Sequence, residues 1–334
     1  MKINKQELLR VLEIVKPGLA TKEVIQQSTS FCFLNGNIVT YNDEISISCP
    51  VENLDITGAI NAAEFYAFIG KIKTDEIDCE VNGNEMSLKA GRAKAGFNLE
   101  AEIQLPVDEI GSIDNWKTLP EDFSKAINFA KGACSRDMSK PVLTCVHVNK
   151  KTVTSSDNHR IVEYQLSNKI QVKPFLLPAN SCGTVTRLKP TQIADGKAWI
   201  HFKTKEGAVI SCRVFEDSFP DVTQHLNVEG ADITFPKELL SIIDRAEVFS
   251  KRDHLLDESI SILVDTKKLI VKSESSSAHF EEKARVNYSG EKITFQITPY
   301  LLKDILSQTT VGILGANKLL FEGENWKYMT LLRD

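Results

Sequence analysis

The sequence predicts an α+β protein made of three similar units, each with two short helices packed on two antiparallel sheets. Three observations support this fold class. The helical pattern at the start of the chain returns twice at a nearly constant interval, and a strand–turn–strand pattern follows each helix. The 334 residues also divide into three segments of ordinary domain size. We place the units at 1–117, 118–230 and 231–334.

A repeated helix opens each unit. Apolar residues recur at positions i, i+4 and i+7, which is the stripe of a short amphipathic helix. Equivalent stripe positions of consecutive units are 115 and 116 residues apart. Asn4 is a predicted N-cap with Glu7 three residues later, and Pro120 and Pro236 suit the first turns of the other two helices. The stripes are Leu8, Leu12 and Val15, then Phe123, Ile127 and Ala130, then Leu239, Ile243 and Ala246.

A strand, a tight turn and a second strand follow each repeated helix. The turn at Asn35-Gly36 has the strongest hairpin chemistry, because both residues tolerate positive φ. A second helix is predicted later in each unit, at 61–73, 178–188 and 298–308. The middle one has the weakest helix propensity, because it holds a glycine and three β-branched residues.

Composition indicates a soluble protein without disulfides. The chain is 42% hydrophobic and 25% charged, and it has no apolar run long enough to span a membrane. The N-terminal segment alternates charged and apolar side chains, unlike a signal peptide. Seven widely spaced cysteines without a CxxC pair predict neither a disulfide framework nor a zinc site. We therefore expect a cytoplasmic protein.

Basic residues gather on the predicted helices, whereas acidic residues concentrate in strands and turns. The net charge of −5 argues against a protein whose whole surface wraps nucleic acid. If the helices lined one surface, it would form a basic stripe able to contact duplex DNA without reading its sequence. For any single residue, a solvated helix face explains the charge equally well. The residues predicted to face DNA are Lys16, Lys22, Lys71, Lys73, Lys131, Arg136, Lys140, Arg187, Arg245, Lys251 and Arg252.

The stretch SSDNHRIVEY at 155–164 concentrates residues able to do chemistry. One interpretation is a metal-dependent phosphodiesterase or nuclease centred on Asp157 and His159. However, the chain has no HxH, HExxH, Walker A or GxSxG motif, and its histidines never stand in close pairs. We therefore predict no enzymatic activity, no metal and no cofactor. We interpret His159 and Arg160 as exposed side chains of a turn that begins at Asp157-Asn158.

Together these segments resemble the bacterial β sliding clamp, the processivity subunit of the replicative DNA polymerase III. That family carries Thr-Asp-Gly-His-Arg-Leu in its second unit, and this chain has Ser-Asp-Asn-His-Arg-Ile at 156–161. The family's Phe-Pro-Asp-Tyr segment corresponds to SFPDVTQHL at 218–226, and its third-unit pattern corresponds to NYSGEKITFQITPYLLKDIL at 287–306. The resemblance covers essentially the full length. This chain departs by being short and by having Asn158, Gln224 and His225 where Gly, Arg and Val are common.

The resemblance implies the DNA clamp fold, with this chain forming half of a closed ring. A head-to-tail homodimer would encircle double-stranded DNA, with helices lining the hole and sheets outside. The ring would tether the replicative DNA polymerase and other proteins with clamp-binding motifs, and an ATP-dependent clamp loader would open it. A clamp-like protein scaffold that does not encircle DNA is the remaining alternative.

The resemblance also implies two contact sites. A short client peptide with Leu and Phe anchors would enter a cleft between the second and third units. For the ring contact, the implied residues are Phe97 and Leu99 against Val248 and Phe249, and ordinary core packing is the alternative for these four. The implied cleft residues are Ser156, Asn158, His159, Arg160, Ile161, Pro220, Gln224, His225, Tyr328, Thr330 and Leu332.

Overall fold

The computed structural model describes residues 1–111, 113–254 and 257–333, and the chain divides into two compact units. The first unit combines Met1–Lys125 with Ser167–Glu216, and the second combines Ala126–Leu166 with Asp217–Asp334. Helices and antiparallel sheets confirm the predicted α+β class. The segment 118–230 contributes to both compact units, and the division into three sequence units stays a prediction.

The first unit contains a large and a small antiparallel sheet. Its helices are α1 (Lys5–Val15), α2 (Ala62–Lys71), the beginning of α3 (Phe123–Lys131) and α4 (Ala179–Leu188). Its strands are β1 (Lys2–Asn4), β2 (Ser30–Leu34), β3 (Asn37–Tyr41), β4 (Ile45–Pro50), β5 (Gly58–Asn61), β6 (Glu76–Asn82), β7 (Glu85–Ala90), β8 (Ala93–Asn98), β9 (Lys117–Thr118), β13 (Phe175–Pro178), β14 (Gln192–Asp195), β15 (Trp199–Lys203) and β16 (Val209–Arg213). The sheet orders are β5-β2-β3-β4-β16-β15-β14-β9 and β1-β6-β7-β8.

The second unit repeats this plan. The rest of α3, with α5 (Leu239–Ser250) and α6 (Pro299–Leu306), supplies its helices. Its strands are β10 (Cys145–Asn149), β11 (Thr152–Ser156), β12 (Arg160–Gln165), β17 (Ala231–Thr234), β18 (Ile260–Asp265), β19 (Lys268–Glu274), β20 (His279–Ala284), β21 (Asn287–Tyr288), β22 (Ile293–Ile297), β23 (Val311–Leu314), β24 (Lys318–Glu322) and β25 (Trp326–Leu331). They lie in the orders β10-β11-β12-β25-β24-β23-β17-β21 and β20-β19-β18-β22.

Helices form at all six predicted places. Asn4 caps α1, because its side-chain oxygen accepts the backbone N–H of Glu7 at 3.0 Å. Pro120 and Pro236 precede the first helical turn instead of lying in it. Their carbonyls accept the N–H groups of Phe123 and Leu239 at 3.0 Å, so a separate turn leads into each helix. Among the described residues, no helix is long and apolar enough to cross a membrane.

The large sheets of the two units are fixed to their helices in the same way. The hydroxyl of Thr40 in β3 donates to the carbonyl of Val15 in α1 at 2.6 Å. The hydroxyl of Ser155 in β11 donates to the carbonyl of Ala130 in α3 at 2.5 Å. The donor follows the acceptor by 25 positions in both cases, and the two pairs are offset by the interval of the sequence repeat. Two buried hydrogen bonds thus confirm that the first two repeats align.

Candidate functional site

A cavity of about 670 Å³ lies within the second unit, which is an ordinary size for a ligand cleft. Four segments supply its wall: the approach to β10, the turn between β11 and β12, the connector that leads to β17, and the end of β25. The lining residues are Lys140, Pro141, Val142, Leu143, Ser156, Asn158, His159, Arg160, Ile161, Asp217, Ser218, Pro220, Asp221, Val222, His225, Met329 and Leu331.

An apolar row across the sheet gives the cavity its floor. Ile161 in β12 pairs with Met329 in β25, and Met329 pairs with Leu320 in β24. Directly opposed residues of antiparallel strands project from the same face, so these side chains form one continuous strip. Leu226 of the connector joins them in a buried cluster, against which Val222 packs.

The equivalent row of the first unit is polar. There, Ser46 in β4 pairs with Ser211 in β16, and Ser211 pairs with His201 in β15. Both large sheets have the same strand order, so the fold does not require apolar side chains at these positions. The apolar row therefore distinguishes the second unit from the first, and apolar side chains lining a cleft are typical of a binding site.

The turn at one side of the cavity is built by Asp157. Its Oδ1 accepts the N–H groups of His159 and Arg160, each at 3.0 Å. Asn158 has φ of +72°, in the left-handed region that asparagine tolerates better than most residues. This conformation explains how asparagine can occupy a position where the clamp signature has glycine.

The first unit contains the same turn. Asn42 Oδ1 accepts the N–H of Ile45 at 3.0 Å, and Asp43 between them also has φ of +72°. The backbone of the DNHR stretch is therefore a structural feature shared by both repeats. The side chains differ between the units, and His159 and Arg160 stand where the first unit has Glu44 and Ile45.

Arg160 is buried, contrary to the prediction of an exposed turn residue. It is 6% exposed, and its guanidinium donates to Asp157 Oδ2 at 3.0 Å, Asp304 Oδ2 at 2.5 Å and the carbonyl of Gly132 at 2.5 Å. The strand alternation that directs Ile161 into the cavity turns Arg160 to the opposite face, toward α3 and α6. Part of Arg160 still borders the cavity. His159 is half-buried and Asn158 is exposed.

The same alternation corrects the predicted contribution of β25. Tyr328 and Thr330 are buried on the face opposite the floor, and the cavity is instead lined by Met329 and Leu331. The hydroxyl of Tyr328 donates to the carbonyl of Leu301 in α6 at 2.6 Å, and burial raises its pKa, so the proton stays in place. The predicted residues Gln224 and Leu332 also lie outside the lining.

Seven predicted cleft residues do line the cavity: Ser156, Asn158, His159, Arg160, Ile161, Pro220 and His225. The segment from Lys140 to Leu143 is a wall that sequence reasoning missed, and it includes a lysine predicted to face DNA. The sequence feature that could have indicated this wall is the apolar segment Pro-Val-Leu, which follows a polar loop. Assigning these residues to the cavity required the tertiary structure, because the wall combines segments as distant in sequence as Lys140 and Leu331.

The connector is held to the sheet by an aromatic stack. Phe219 lies on His147 of β10, with ring centroids 5.1 Å apart and an interplanar angle of 17°. Burial lowers the pKa of His147, which favours the neutral imidazole in this stack. Because Pro220 and Asp221 follow directly, the stack positions the connector side of the cavity.

The basic residues predicted to face DNA fall into two groups. Arg245 pairs with Glu282 and Lys251 with Glu247, each at 2.7 Å, and Arg252 donates to two backbone carbonyls. Within the described part of the chain, the following predicted residues form no ion pair: Lys16, Lys22, Lys71, Lys73, Lys131, Arg136, Lys140 and Arg187. Lys16 lies over the ring of Tyr66.

The residues predicted for the ring contact differ in exposure. Phe97 and Leu99 are buried in the first unit, where Phe97 packs edge-to-face on Phe65 at 5.2 Å. Val248 is 68% exposed, and Phe249 stacks on another ring of the second unit. The aromatic residues therefore have structural roles within single units, and their part in a ring contact stays a prediction.

Comparisons with known proteins show similarity in structure. No protein-family model and no curated protein sequence matches the chain. A DnaN sliding clamp (DNA polymerase III subunit beta) from Pseudomonas aeruginosa, solved bound to griselimycin, superposes with a TM-score of 0.87 at 17% identity, covering 100% of this chain and 99% of that one. The DNA polymerase sliding clamp of Bacillus subtilis gives 0.86 at 18% identity, covering 100% and 98%. The DNA polymerase III beta chain of Streptococcus pneumoniae gives 0.87 at 18% identity, covering 100% and 99%.

The predicted clamp fold is therefore confirmed. From the first helix to the last strand, this chain has the fold of the bacterial DNA polymerase sliding clamps.

Proposed function

We propose that this protein is a DNA sliding clamp, a non-enzymatic ring that holds a DNA polymerase on its template. The full-length similarity to DNA polymerase sliding clamps carries this proposal. The proposed ring is a homodimer in the cytoplasm that surrounds duplex DNA without reading its sequence. An ATP-dependent loader is a proposed partner, because a closed ring must be opened before DNA enters it.

Unpaired strand edges support assembly into a ring. β8 is an edge strand of the first unit's small sheet, and β20 is an edge strand of the second unit's small sheet. An edge strand presents unsatisfied backbone N–H and C=O groups, which pair readily with another strand. Head-to-tail pairing of β8 with β20 of a second copy would satisfy both edges and place Phe97 beside the contact.

The cavity of the second unit supports the docking of clients. Ile161 and Met329 offer an apolar floor, and Leu331 extends it at the end of β25. A short extended peptide would bury its apolar anchors there, while polar groups such as Ser156 and His225 fix its register. The replicative polymerase and other proteins with clamp-binding motifs are the proposed owners of such peptides.

The geometry at Asp157 disfavours the nuclease alternative. A metal-dependent nuclease would need the carboxylate of Asp157 and the imidazole of His159 as ligands. Both carboxylate oxygens are already used, Oδ1 by two backbone N–H groups and Oδ2 by the Arg160 guanidinium. This aspartate organises a turn that the first unit builds with Asn42, which cannot carry a charge.

Light scattering coupled to size-exclusion chromatography tests the assembly. The chain has a mass of 37.3 kDa, and a homodimer at micromolar concentration would have twice that mass. Replacing Lys94 of β8 by proline should shift the protein toward the monomer. Leu99 donates its N–H to the carbonyl of Asn84 at 2.8 Å, so in this register the N–H of Lys94 lies at the free edge of β8, and proline removes it. The exposed loop substitution Met138→Pro is the control and should leave the dimer intact. A wild-type monomer would contradict the proposal.

A further inference from the structure

The rim of the cavity carries more negative than positive charge. Asp217 and Asp221 come from the connector, are exposed and line the cavity. Lys140, from the approach to β10, is the lysine in the lining. The positive charge of Arg160 is directed away from the floor and is balanced by two aspartates. Among its aspartate, glutamate and lysine residues, the lining therefore presents two carboxylates and one ammonium group.

Neither rim carboxylate forms an ion pair within the described protein, and His225 adds only a minor favourable charge interaction with Asp221. Asp217 Oδ1 accepts the N–H of Ser218 at 2.7 Å, and Asp221 Oδ1 accepts the N–H of Thr223 at 3.0 Å. Within the described residues, no lysine, arginine or histidine forms an ion pair with either one. Hydrogen bonds from Thr223 lower the pKa of Asp221, so its charge persists at neutral pH.

We infer that the cavity selects client peptides that carry a lysine or arginine beside their apolar anchors. The inference rests on the proposed function and specifies the chemistry of the client. Anchors that fill the apolar floor would hold the backbone close to the connector. A neighbouring basic side chain would then meet the two carboxylates, and an acidic one would be repelled.

Three pairs of synthetic nonapeptides test this preference. All carry two leucines and one phenylalanine as anchors, and they differ only in a flanking residue that is lysine, glutamine or glutamate. Each peptide is made with that residue at either end of the anchors, with acetylated and amidated termini. Binding to the full-length protein is measured by fluorescence anisotropy at low and high salt. We expect the better lysine peptide to bind about fivefold to tenfold more tightly than its glutamate counterpart, with the ratio shrinking as salt rises.

A double substitution tests the contribution of the two rim carboxylates. Asp217→Asn with Asp221→Asn keeps both oxygen acceptors for the local turns and removes both charges. The difference between lysine and glutamate peptides should then fall below about twofold, while the glutamine peptide keeps its affinity. Asp265→Asn is the matched control, because Asp265 accepts the N–H of Thr266 at 2.7 Å in a turn outside the cavity. This control should retain the full preference.

Two negative outcomes have different meanings. If the glutamine peptide binds but the lysine and glutamate peptides bind equally well, the inference about charge is overturned and the docking site stands. If none of the peptides binds, the proposed client site itself fails, and the inference fails with it. A preference that persists in the double variant would also overturn the assignment to Asp217 and Asp221.

Discussion

Arg160 illustrates how one residue can serve the fold beside a binding site. Its guanidinium connects the turn at Asp157, the helix residue Asp304 and the carbonyl of Gly132 at the end of α3. The equivalent position in the first unit is Ile45, which is also buried. The second unit therefore has a buried charge with a full set of partners where the first has an apolar residue, and this charge ties the cavity turn to α3 and α6.

Removing this charge should destabilise the second unit. Arg160→Ala leaves Asp157 buried without its partner, so we expect a loss of about 3 kcal/mol in the free energy of unfolding. Urea denaturation followed by circular dichroism measures the loss. Arg245→Ala is the control, because its ion pair with Glu282 is largely exposed and should contribute less than about 1 kcal/mol. Equal effects of the two substitutions would contradict a structural role for Arg160.

His201 makes the first unit sensitive to acid. Its Nδ1 lies 2.9 Å from Ser211 Oγ, its Nε2 has no hydrogen-bond partner in the described structure, and burial lowers its pKa to about 4. The unfolded chain therefore binds a proton near pH 6.5, whereas the folded chain does not bind it until about pH 4. The contribution of His201 to stability is present above pH 6.5 and is lost as the pH falls through 4.

Substituting His201 should reduce this acid sensitivity. We expect the wild-type protein to lose about 3 kcal/mol between pH 7 and pH 4 through this residue, and His201→Gln to lack that part of the loss. Urea denaturation at several pH values gives the comparison. Val248→Ser, an exposed substitution that removes no titratable group, should keep the wild-type pH dependence. If the His201 and Val248 variants lose stability in parallel, His201 is not the acid-sensitive group.

Side-chain direction is the part of the site that the sequence predicted least well. The resemblance implied the turn at 156–161, whose residues border the cavity, but on β25 it implied Tyr328 and Thr330, whereas Met329 and Leu331 line the cavity. Because side chains alternate between faces, a displacement of one residue moves the whole assignment to the wrong face. Both faces of β25 carry apolar or aromatic residues, so the residue types alone do not identify the face that lines the cavity. The pairing of Ile161 with Met329 identifies that face.

At the scale of elements, the apolar row is the feature that distinguishes the two large sheets. Ile161→Ser gives the second unit the residue that the first unit has at Ser46. We expect client-peptide affinity to fall by tenfold or more, because burial of an apolar anchor contributes about 1.5–3 kcal/mol. Fluorescence anisotropy with the glutamine peptide measures the loss. Val311→Ser, at an exposed position outside the cavity, should bind normally, and a normal affinity for the Ile161 variant would exclude it from the site.

The helices differ in how many of their basic side chains form ion pairs with acidic side chains. On α5 and α6, Lys303 pairs with Asp244 at 2.6 Å and with Glu247 at 2.7 Å, beside the pairs of Arg245 and Lys251. Charges held by acidic neighbours attract phosphate less strongly. We therefore expect helices α1 to α4 and their loops to supply most of the attraction to DNA.

Two sets of substitutions separate these contributions. Replacing Lys71, Lys73, Arg136 and Arg187 with glutamine should weaken binding to duplex DNA and reduce the slope of log affinity against log salt by up to about 0.9 per lost contact. Replacing Arg245 and Lys251 with glutamine should reduce the slope by less than about half of this 0.9 for each replaced residue. Titration of labelled duplex at several salt concentrations gives both slopes. A larger effect from the second set would contradict the expected distribution.

Elements were predictable where local rules sufficed. Apolar periodicity identified the six helices, and Asn35-Gly36 identified a turn whose residues have φ of +51° and +69°. The grouping of strands into sheets was not predictable in the same way. β4 of the first repeat pairs with β16 of the second, which places Ile47 opposite Ile210, and no local pattern encodes so distant a partner.

At the scale of the molecule, the two units share a structural framework, and the second unit contains the cavity. The buried bonds of Thr40 and Ser155 show that the repeats share a framework, and the contrast between Ser46 and Ile161 shows where they diverge. This organisation supports the proposed function, in which the protein encloses DNA while it presents a docking site to other proteins.

Topological retention on DNA tests this central claim most directly. The protein is mixed with a nicked circular plasmid at a concentration low enough to dissociate the ring, and the mixture is concentrated to the micromolar range so that rings reassemble around the DNA without a loader. Bound protein is isolated by gel filtration at high salt. Half of the sample is then linearised with a restriction enzyme and filtered again. A sliding ring should remain with the circle and be lost from the linear DNA. Equal retention on circular and linear DNA would contradict encirclement.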